Sequence, residues 1–136
     1  MPIATNAPLL SGIVTLLAVV LYLFMGARVG ILRGQLGIKA PAVTGDPLFE
    51  RAFRVHCNTS EQYVAFLPLL WLATAFFHAI PWLPAAFGVW FLVGRVAYMQ
   101  LYMADPDRRI AGAFATMFAN LGLAVVSAIG LVQSAS

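Results

Sequence analysis

The sequence predicts an all-α integral membrane protein, a single domain over residues 1–136 that forms an up-down bundle of four transmembrane helices. Hydrophobic residues make up 62% of the chain and charged residues 10%, which is too apolar for a soluble domain of this size. The apolar residues fall into four long segments, and each connection between them contains proline. A bilayer is therefore the solvent to which this chain can expose so much apolar surface.

The first helix is predicted at about residues 8–33. Its apolar run, residues 9–26, is long enough to cross roughly 30 Å of hydrocarbon. The positive charges Arg28 and Arg33 follow this run, whereas a signal peptide carries its positive charge before the apolar run. We therefore expect a helix that is retained in the membrane.

The second helix is predicted at about 47–78 and the third at about 83–104. Asp46 and Pro47 suit the start of a helix, with proline in the first turn. Pro68 lies inside the second helix and predicts a kink there. The third helix is apolar over most of its length and is interrupted by one charge, Arg95.

The fourth helix is predicted at about 107–132. Asp105 suits its N-cap and Pro106 its first helical position.

The basic residues determine the expected orientation, because all eight lie between residues 28 and 109. In an up-down bundle they fall at the 1–2 and 3–4 connections, which share one side of the membrane. The positive-inside rule makes that side cytoplasmic (of the inner or plasma membrane, if the protein is bacterial) and places both termini on the opposite side.

Four polar side chains of the second helix share one face. At 100° per residue, Arg51, Arg54, Asn58 and Glu61 fall within an arc of roughly 80°. A structural role is one interpretation, because arginine near a helix end can extend to the interface and an Arg–Glu pair can stabilise a bundle. Glu61 lies several turns into the helix, however, and its side chain is too short to reach the membrane surface. A binding site is therefore favoured for this face.

The third helix offers a second polar face. Arg95, Tyr98 and Tyr102 follow an i, i+3, i+7 spacing. An aromatic belt would explain either tyrosine alone, whereas two tyrosines beside a buried arginine favour a polar pocket. Arg95 lies at a depth similar to that of Glu61, and we expect a structural ion pair between them.

Arg109, in the turn at 105–109, either anchors the protein at the positive side or binds a carboxylate or phosphate.

Other chemistries lack the residues that they need. His56 and Cys57 point about 100° apart and no third ligand is visible, so no metal site is expected. Cys57 has no neighbouring base, which favours a lipid-facing or packed thiol. No basic run is interleaved with aromatic residues, so no nucleic-acid partner is expected. A channel or transporter that uses Glu61 and Arg95 would need a continuous polar stripe across the bilayer, and the outer halves of the helices offer only scattered polar residues.

Arginines, an amide, a carboxylate and tyrosines from three helices thus predict one site at the cytoplasmic boundary. Its ligand is an anionic, peptide-like small molecule, with a lipophilic second substrate on the apolar side.

The motif F-E-R-x-x-R-x-H-x-N-x-x-E at 49–61, with R-x-x-Y-x-Q-x-Y at 95–102, resembles the membrane-associated proteins in eicosanoid and glutathione metabolism, of the microsomal glutathione transferase type. The resemblance covers most of the chain. It implies a homotrimer that binds glutathione between neighbouring subunits.

The resemblance also implies roles for individual residues. The glutathione contacts that it implies are Arg33, Arg54, His56, Asn58, Glu61, Tyr98 and Tyr102. Arg109 matches an arginine that lies near the thiol in relatives, and it is implied as the catalytic residue that stabilises the thiolate. Gly34 stands where the leukotriene-forming branch has a second arginine, and Gln62 stands where that branch has a tyrosine. Both differences speak against leukotriene-type specificity.

The expected function is that of a membrane-bound glutathione transferase or peroxidase. It would conjugate glutathione to lipophilic electrophiles or reduce lipid peroxides. The alternative is a non-catalytic member of the same family that binds lipid or glutathione, which the glycine at position 34 motivates. The expected partners are glutathione as co-substrate, a lipophilic small molecule, membrane lipid and further copies of the chain.

Overall fold

The computed structural model describes residues 6–135, which form four long helices and one short 3-10 turn. These elements are α1 (Ala7–Gln35), α2 (Pro47–Phe76), α3 (Leu83–Ala104), the 3-10 turn (Pro106–Arg109) and α4 (Ile110–Ala135). The prediction of an all-helical chain with four helices is thereby confirmed. Pro68 lies inside α2 without ending it, and the kink there stays a prediction.

The fourth helix was predicted to begin at about residue 107, and its first turn differs from a regular α-helix. Residues 106–109 form a 3-10 turn, and α4 begins only at Ile110. Asp105 caps this turn, because its side chain accepts a hydrogen bond of 3.0 Å from the N–H of Asp107. Asp46 caps α2 in a similar way, accepting from the N–H groups of Leu48 at 2.8 Å and Phe49 at 3.4 Å.

The core lies around α2, which packs against each of the other three helices. Phe66 of α2 and Phe91 of α3 are fully buried, and their rings stack 3.8 Å apart. Hydrogen bonds add to this packing: the hydroxyl of Tyr63 donates to the carbonyl oxygen of Ala18 in α1 at 2.7 Å. Bonds between helices are useful in an apolar solvent, where burial of apolar surface no longer drives helices together.

Much of the outer surface is apolar. Two segments are apolar enough to cross a membrane: α1, with an 18-residue window of mean hydropathy 2.4, and Pro106–Ala135, which joins the 3-10 turn to α4 and has a window of mean hydropathy 1.9. Large apolar side chains point outward all round the bundle, including Leu16, Val93, Phe118 and Val132. Helices α2 and α3 carry most of the polar residues of the predicted site.

The two charged connections lie at the same end of the bundle. The Arg51 guanidinium, near the start of α2, donates hydrogen bonds of 3.1 Å to the carbonyl oxygen of Met103 and 3.3 Å to that of Ala104. Arg51 therefore has the structural role that was one interpretation of its position, because it satisfies carbonyls at the C-terminal end of α3. The bonds also hold the start of α2 beside the turn that carries Arg109.

Helices α3 and α4 approach each other closely at Gly112. A Cβ atom at this position would lie 2.5 Å from both the N and the Cα atom of Tyr98. Because these are main-chain atoms, they could make room only if α3 moved. The glycine therefore sets the position of Tyr98 relative to the start of α4.

We expect Gly112→Ala to lower the stability of the protein by about 1–3 kcal/mol, because the added methyl group overpacks the α3–α4 contact. Gly12→Ala is the matched control, since no atom lies within 4 Å of a Cβ at Gly12. The control should leave stability unchanged or raise it, as alanine favours a helix over glycine. Melting temperatures in detergent measure both effects, and an unchanged value for Gly112→Ala would contradict the close approach.

Candidate functional site

Most of the predicted site residues line one cavity at the charged end of the bundle. This cavity, the polar pocket, has a volume of about 200 Å³. It is lined by Arg54, Cys57, Asn58, Glu61, Tyr98, Tyr102 and Arg109. The structure thus brings together six of the eight predicted catalytic and glutathione-binding residues.

A larger cavity of about 410 Å³, the inner cavity, adjoins the polar pocket. Asn58, Tyr98 and Arg109 belong to the walls of both. The remaining wall of the inner cavity comes from α2, α3 and α4, and consists of Gln62, Arg95, Ala113, Thr116, Met117, Asn120 and Leu121. One polar space therefore continues into a partly apolar one between the helices.

Helix geometry explains the wall that α2 contributes. Arg54, Cys57, Asn58 and Glu61 follow an i, i+3, i+4, i+7 spacing, which places them on one face. Arg54 and Glu61 are exposed, whereas Cys57 and Asn58 are half-buried. The pocket thus carries two exposed guanidinium groups, from Arg54 and Arg109, and one exposed carboxylate, from Glu61.

Arg95 lies behind this wall and is almost completely buried, with 1% of its surface exposed. Its Nη1 atom donates a hydrogen bond of 2.9 Å to Oδ1 of Asn58. Its guanidinium carbon lies 4.0 Å from the centre of the Tyr98 ring, a cation–π distance. Arg95 thereby fixes one pocket residue from α2 and another from its own helix.

Within residues 6–135, Glu61 and Arg95 do not form an ion pair, so this prediction is wrong. The partner of Arg95 is Asn58, one helical turn before Glu61. Glu61 is exposed and lines the polar pocket, which Arg95 does not. The physical reason is depth: Arg95 is buried among the helices, where the amide of Asn58 reaches it, and the carboxylate of Glu61 stays in the open pocket.

Arg109 stands where the two cavities meet. Its Nη1 atom donates to the carbonyl oxygen of Pro106 at 3.0 Å, which holds the side chain against the 3-10 turn. Its guanidinium carbon lies 5.7 Å from the centre of the Tyr102 ring, and the rings of Tyr98 and Tyr102 are 5.6 Å apart. A cation beside two phenol groups suits the binding of an anion.

Arg33 does not line either cavity. Its Nη1 atom donates to the carbonyl oxygens of Ile38 at 3.4 Å and Ala42 at 2.7 Å, and its guanidinium lies 4.8 Å from the ring centre of Phe49. Within the described chain it therefore stabilises the connection between α1 and α2.

His56 also lies away from the pocket. Its ring stacks on that of Tyr22 at 4.5 Å, against α1, and its Nδ1 atom is buried without a hydrogen-bond partner among residues 6–135. The reason is helical: a residue two positions from Asn58 points to another side of α2. The single chain thus leaves Arg33 and His56 outside the pocket that the resemblance assigns to them.

Sequence reasoning missed several residues of the walls. Cys57 was expected to face lipid or pack, yet it lines the polar pocket; its spacing of three residues from Arg54 was a signal for this. Gln62 and Asn120 line the inner cavity, where Nδ2 of Asn120 donates to Oε1 of Gln62 at 3.3 Å. Within residues 6–135, no group of three or more His, Cys, Asp or Glu side chains is placed to hold a metal ion.

The chain matches the model of the MAPEG family over residues 11–129. It is 35% identical to leukotriene C4 synthase of Bos taurus over 119 residues, which is 88% of this chain and 78% of that protein. It is 30% identical to microsomal glutathione S-transferase 2 of Homo sapiens over 131 residues, which is 96% of this chain and 87% of that protein. An uncharacterized protein of Synechocystis is 39% identical over 100 residues, which is 74% of this chain and 72% of that protein.

The chain therefore belongs to the MAPEG family, and the predicted family is confirmed. Family membership, together with the two strongly apolar helices, identifies a membrane protein. At the level of the family, the chemistry is glutathione-related lipid metabolism.

We expect Asn58→Leu to destabilise the protein by about 1.5–3 kcal/mol, because it removes the hydrogen-bond partner of a buried guanidinium. Glu61→Gln should change stability by less than about 0.5 kcal/mol, as expected for an exposed side chain outside that contact. Unfolding of both variants in detergent distinguishes the two partners. A loss for Glu61→Gln as large as that for Asn58→Leu would restore the Glu61–Arg95 ion pair.

Proposed function

We propose that the protein is a membrane-bound glutathione transferase that conjugates glutathione to lipophilic electrophiles and has a related peroxidase activity. The observation that carries this proposal is the polar pocket, in which Arg54, Asn58, Glu61 and Arg109 meet in a member of the MAPEG family. We further propose that all four helices span the membrane, that the chain forms a homotrimer, and that the charged connections and the pocket lie on the cytoplasmic side.

The charges of the polar pocket suit glutathione. The tripeptide carries two carboxylates and one ammonium group, and the pocket carries two guanidinium groups and one carboxylate, from Arg54, Arg109 and Glu61. Charge-assisted hydrogen bonds of this kind are short and strong, and guanidinium groups bind carboxylates in a bidentate way. Each charged group of glutathione thus has a group of opposite charge in the pocket, which favours this zwitterionic ligand over a simple anion.

Each side chain then has a role in binding. Arg54 takes a carboxylate and Glu61 takes the ammonium group of the substrate. Asn58 pairs with a peptide group, while its Oδ1 atom stays bonded to Arg95 at 2.9 Å. Tyr98 and Tyr102 offer hydroxyl groups on the opposite wall.

Arg109 is the catalytic residue of this proposal. It belongs to both cavities, so a thiol that passes from the polar pocket toward the inner cavity lies beside its guanidinium. A positive charge within about 4–6 Å lowers the pKa of an ionisable group by roughly one to three units. The thiolate, which is the nucleophilic form of the thiol, is thereby favoured near neutral pH. It then attacks the electrophile and forms the sulfur–carbon bond.

The lipophilic substrate enters from the bilayer in this proposal. A surface groove of about 270 Å³ is lined by Arg109, Ile110, Ala113, Phe114 and Met117. Arg109, Ala113 and Met117 also line the inner cavity. An apolar molecule that slides along α4 therefore reaches the arginine without crossing water.

Arg33 and His56 complete the site of a neighbouring subunit in the proposed trimer. Both are assigned to glutathione by the family resemblance, and both lie away from the pocket of their own chain. Residues from two subunits around one ligand would reconcile these facts.

We expect Arg109→Ala to lower turnover of a generic lipophilic electrophile by roughly 10- to 100-fold, because the thiol loses the cation that favours its ionisation. Glutathione affinity should fall much less. Arg108→Ala is the matched control, since the neighbouring arginine is also exposed and lines neither the polar pocket nor the inner cavity. Steady-state kinetics and ultraviolet difference spectra of the bound thiolate measure the two effects.

Equal effects of Arg109→Ala and Arg108→Ala would contradict the catalytic role of Arg109. Tight glutathione binding by the wild type with neither turnover nor a thiolate signal would instead support the non-catalytic member of the family.

We expect Glu61→Ala to weaken glutathione binding by about tenfold, because the ammonium group of the substrate loses its charged partner. An analogue that lacks this amino group should bind both proteins equally well. Glu50→Ala is the control, as Glu50 is occupied at the start of α2 by a 3.0 Å bond from the N–H of Gly45. Calorimetric titration supplies the affinities; a large loss for the analogue as well would assign Glu61 to another part of the ligand.

A further inference from the structure

Hydrogen bonds join α2 to α3 at both ends of the polar pocket. At the deeper end, Nη1 of Arg95 donates to Oδ1 of Asn58 at 2.9 Å. At the charged end of the bundle, Nη1 of Arg51 donates to the carbonyl oxygens of Met103 at 3.1 Å and Ala104 at 3.3 Å. The two contacts lie about two helical turns apart on each helix, so they frame one stretch of the α2–α3 wall.

Residues of the polar pocket lie between these two contacts. On α2 they are Arg54 and Cys57, and on α3 they are Tyr98 and Tyr102. Arg51 itself is half-buried and lines neither the polar pocket nor the inner cavity. Its hydrogen bonds therefore set the spacing of the pocket walls, although its side chain does not meet the ligand.

The C-terminal end of α3 needs a cation that α3 does not carry. Its last turn contains no basic residue, although the carbonyl oxygens there have no partners within the helix. The helix dipole also favours a positive charge at this end. Arg51 supplies that charge from α2, and the end of α3 is thereby bonded to a different helix.

The end of α3 leads directly into the turn that holds Arg109. Asp105 follows α3, and its side chain caps the 3-10 turn by accepting from the N–H of Asp107 at 3.0 Å. The turn packs against α3 and α4, and Nη1 of Arg109 donates to the carbonyl oxygen of Pro106 at 3.0 Å. A series of contacts thus runs from Arg51, through the end of α3, to the guanidinium of Arg109.

We propose that Arg51 is a positioning residue for Arg109. By bonding the end of α3, it sets the distance between Arg109 and the wall of α2 that holds glutathione. This inference rests on the proposed function, in which the charge of Arg109 favours the thiolate. Electrostatic stabilisation weakens with distance, and a displacement of about 1 Å costs a large factor in rate even when the altered residue is remote from the chemistry.

The first test removes the two hydrogen bonds and keeps a long side chain. In Arg51→Met we expect turnover of 1-chloro-2,4-dinitrobenzene at neutral pH to fall by about 3- to 10-fold, because Arg109 moves away from the thiol. Arg51→Lys keeps a cation that bonds carbonyl oxygens, and its turnover should lie within about twofold of the wild type. Arg28→Met is the matched control, since Arg28 is a half-buried arginine that lines neither cavity. Turnover of Arg51→Lys as low as that of Arg51→Met, or an equal loss in the control, would contradict the positioning role.

The pH dependence of turnover separates positioning from a general loss of structure. A more distant cation raises the pKa of the bound thiol, so the pH profile of kcat for Arg51→Met should shift to higher pH. Above that pKa the thiol is ionised in both proteins, and the loss should therefore shrink as the pH rises. Glutathione affinity, from calorimetric titration, should change by less than about threefold, which also shows that the variant folds. A loss of turnover that stays constant with pH would overturn the inference.

A double-mutant cycle tests whether Arg51 acts through Arg109. In the Arg109→Ala background, Arg51→Met should lower turnover by less than about twofold further, because the group that Arg51 positions is already absent. A further loss as large as that in the wild-type background overturns the inference and leaves the proposed function standing. If Arg51→Met does not bind glutathione, Arg51→Gln, which keeps an amide donor, takes its place in the cycle and the pH profile, with the same outcomes deciding. Absence of conjugation by the wild type, or unchanged turnover in Arg109→Ala, would overturn the proposed function and this inference with it.

Discussion

The buried guanidinium of Arg95 is the constraint on which the site depends. A charge with 1% of its surface exposed must find partners inside the bundle, and Arg95 finds one hydrogen bond to Asn58 and one aromatic face on Tyr98. Both partners belong to the polar pocket and to the inner cavity. The interaction therefore fixes α2 against α3 at the level of the site, and Gly112 sets α4 against α3 at Tyr98. Three helices are positioned by contacts that meet at one tyrosine.

The sequence alone predicted the four helices and the polar face of α2, because long apolar segments and a 3.6-residue period are local signals. It was not sufficient for the partner of Arg95. Asn58 and Glu61 are three residues apart on one face, and periodicity does not decide which of two adjacent turns a residue on another helix will reach. Gln62 and Asn120 were missed for a similar reason: they are 58 residues apart in sequence, and only the packing of α4 on α2 brings them together.

A short local feature decides which arginine enters the site. Arg108 and Arg109 are neighbours in a sequence that predicted a continuous helix from residue 107. The 3-10 turn, capped by Asp105, advances by about 120° per residue instead of about 100°, so the direction of each side chain depends on where the turn ends. The structure places Arg109 in the wall of both cavities, and its bond to the carbonyl of Pro106 fixes it there. The chemistry that we assign to Arg109 thus depends on a helix start that patterning alone could not define.

The polar groups within the bundle form two sets: those that find a hydrogen-bond partner within the fold, and those that do not. Hydroxyl groups in the core are bonded to neighbouring helices or to their own helix: Ser11 to Thr74 at 2.7 Å and Thr116 to the Gly112 carbonyl at 2.7 Å, for example. The buried side-chain atoms that lack partners, in the part of the chain that the structure describes, belong to His56, Arg95 and Asn120. Arg95 and Asn120 line the inner cavity, and His56 is a position that the resemblance assigns to glutathione. A buried polar group without a hydrogen-bond partner is costly in an apolar solvent. Such groups are therefore rare, and where they occur they commonly mark a functional site. Their distribution therefore separates the polar residues that build the bundle from those for which a ligand or a neighbouring subunit supplies the missing partner.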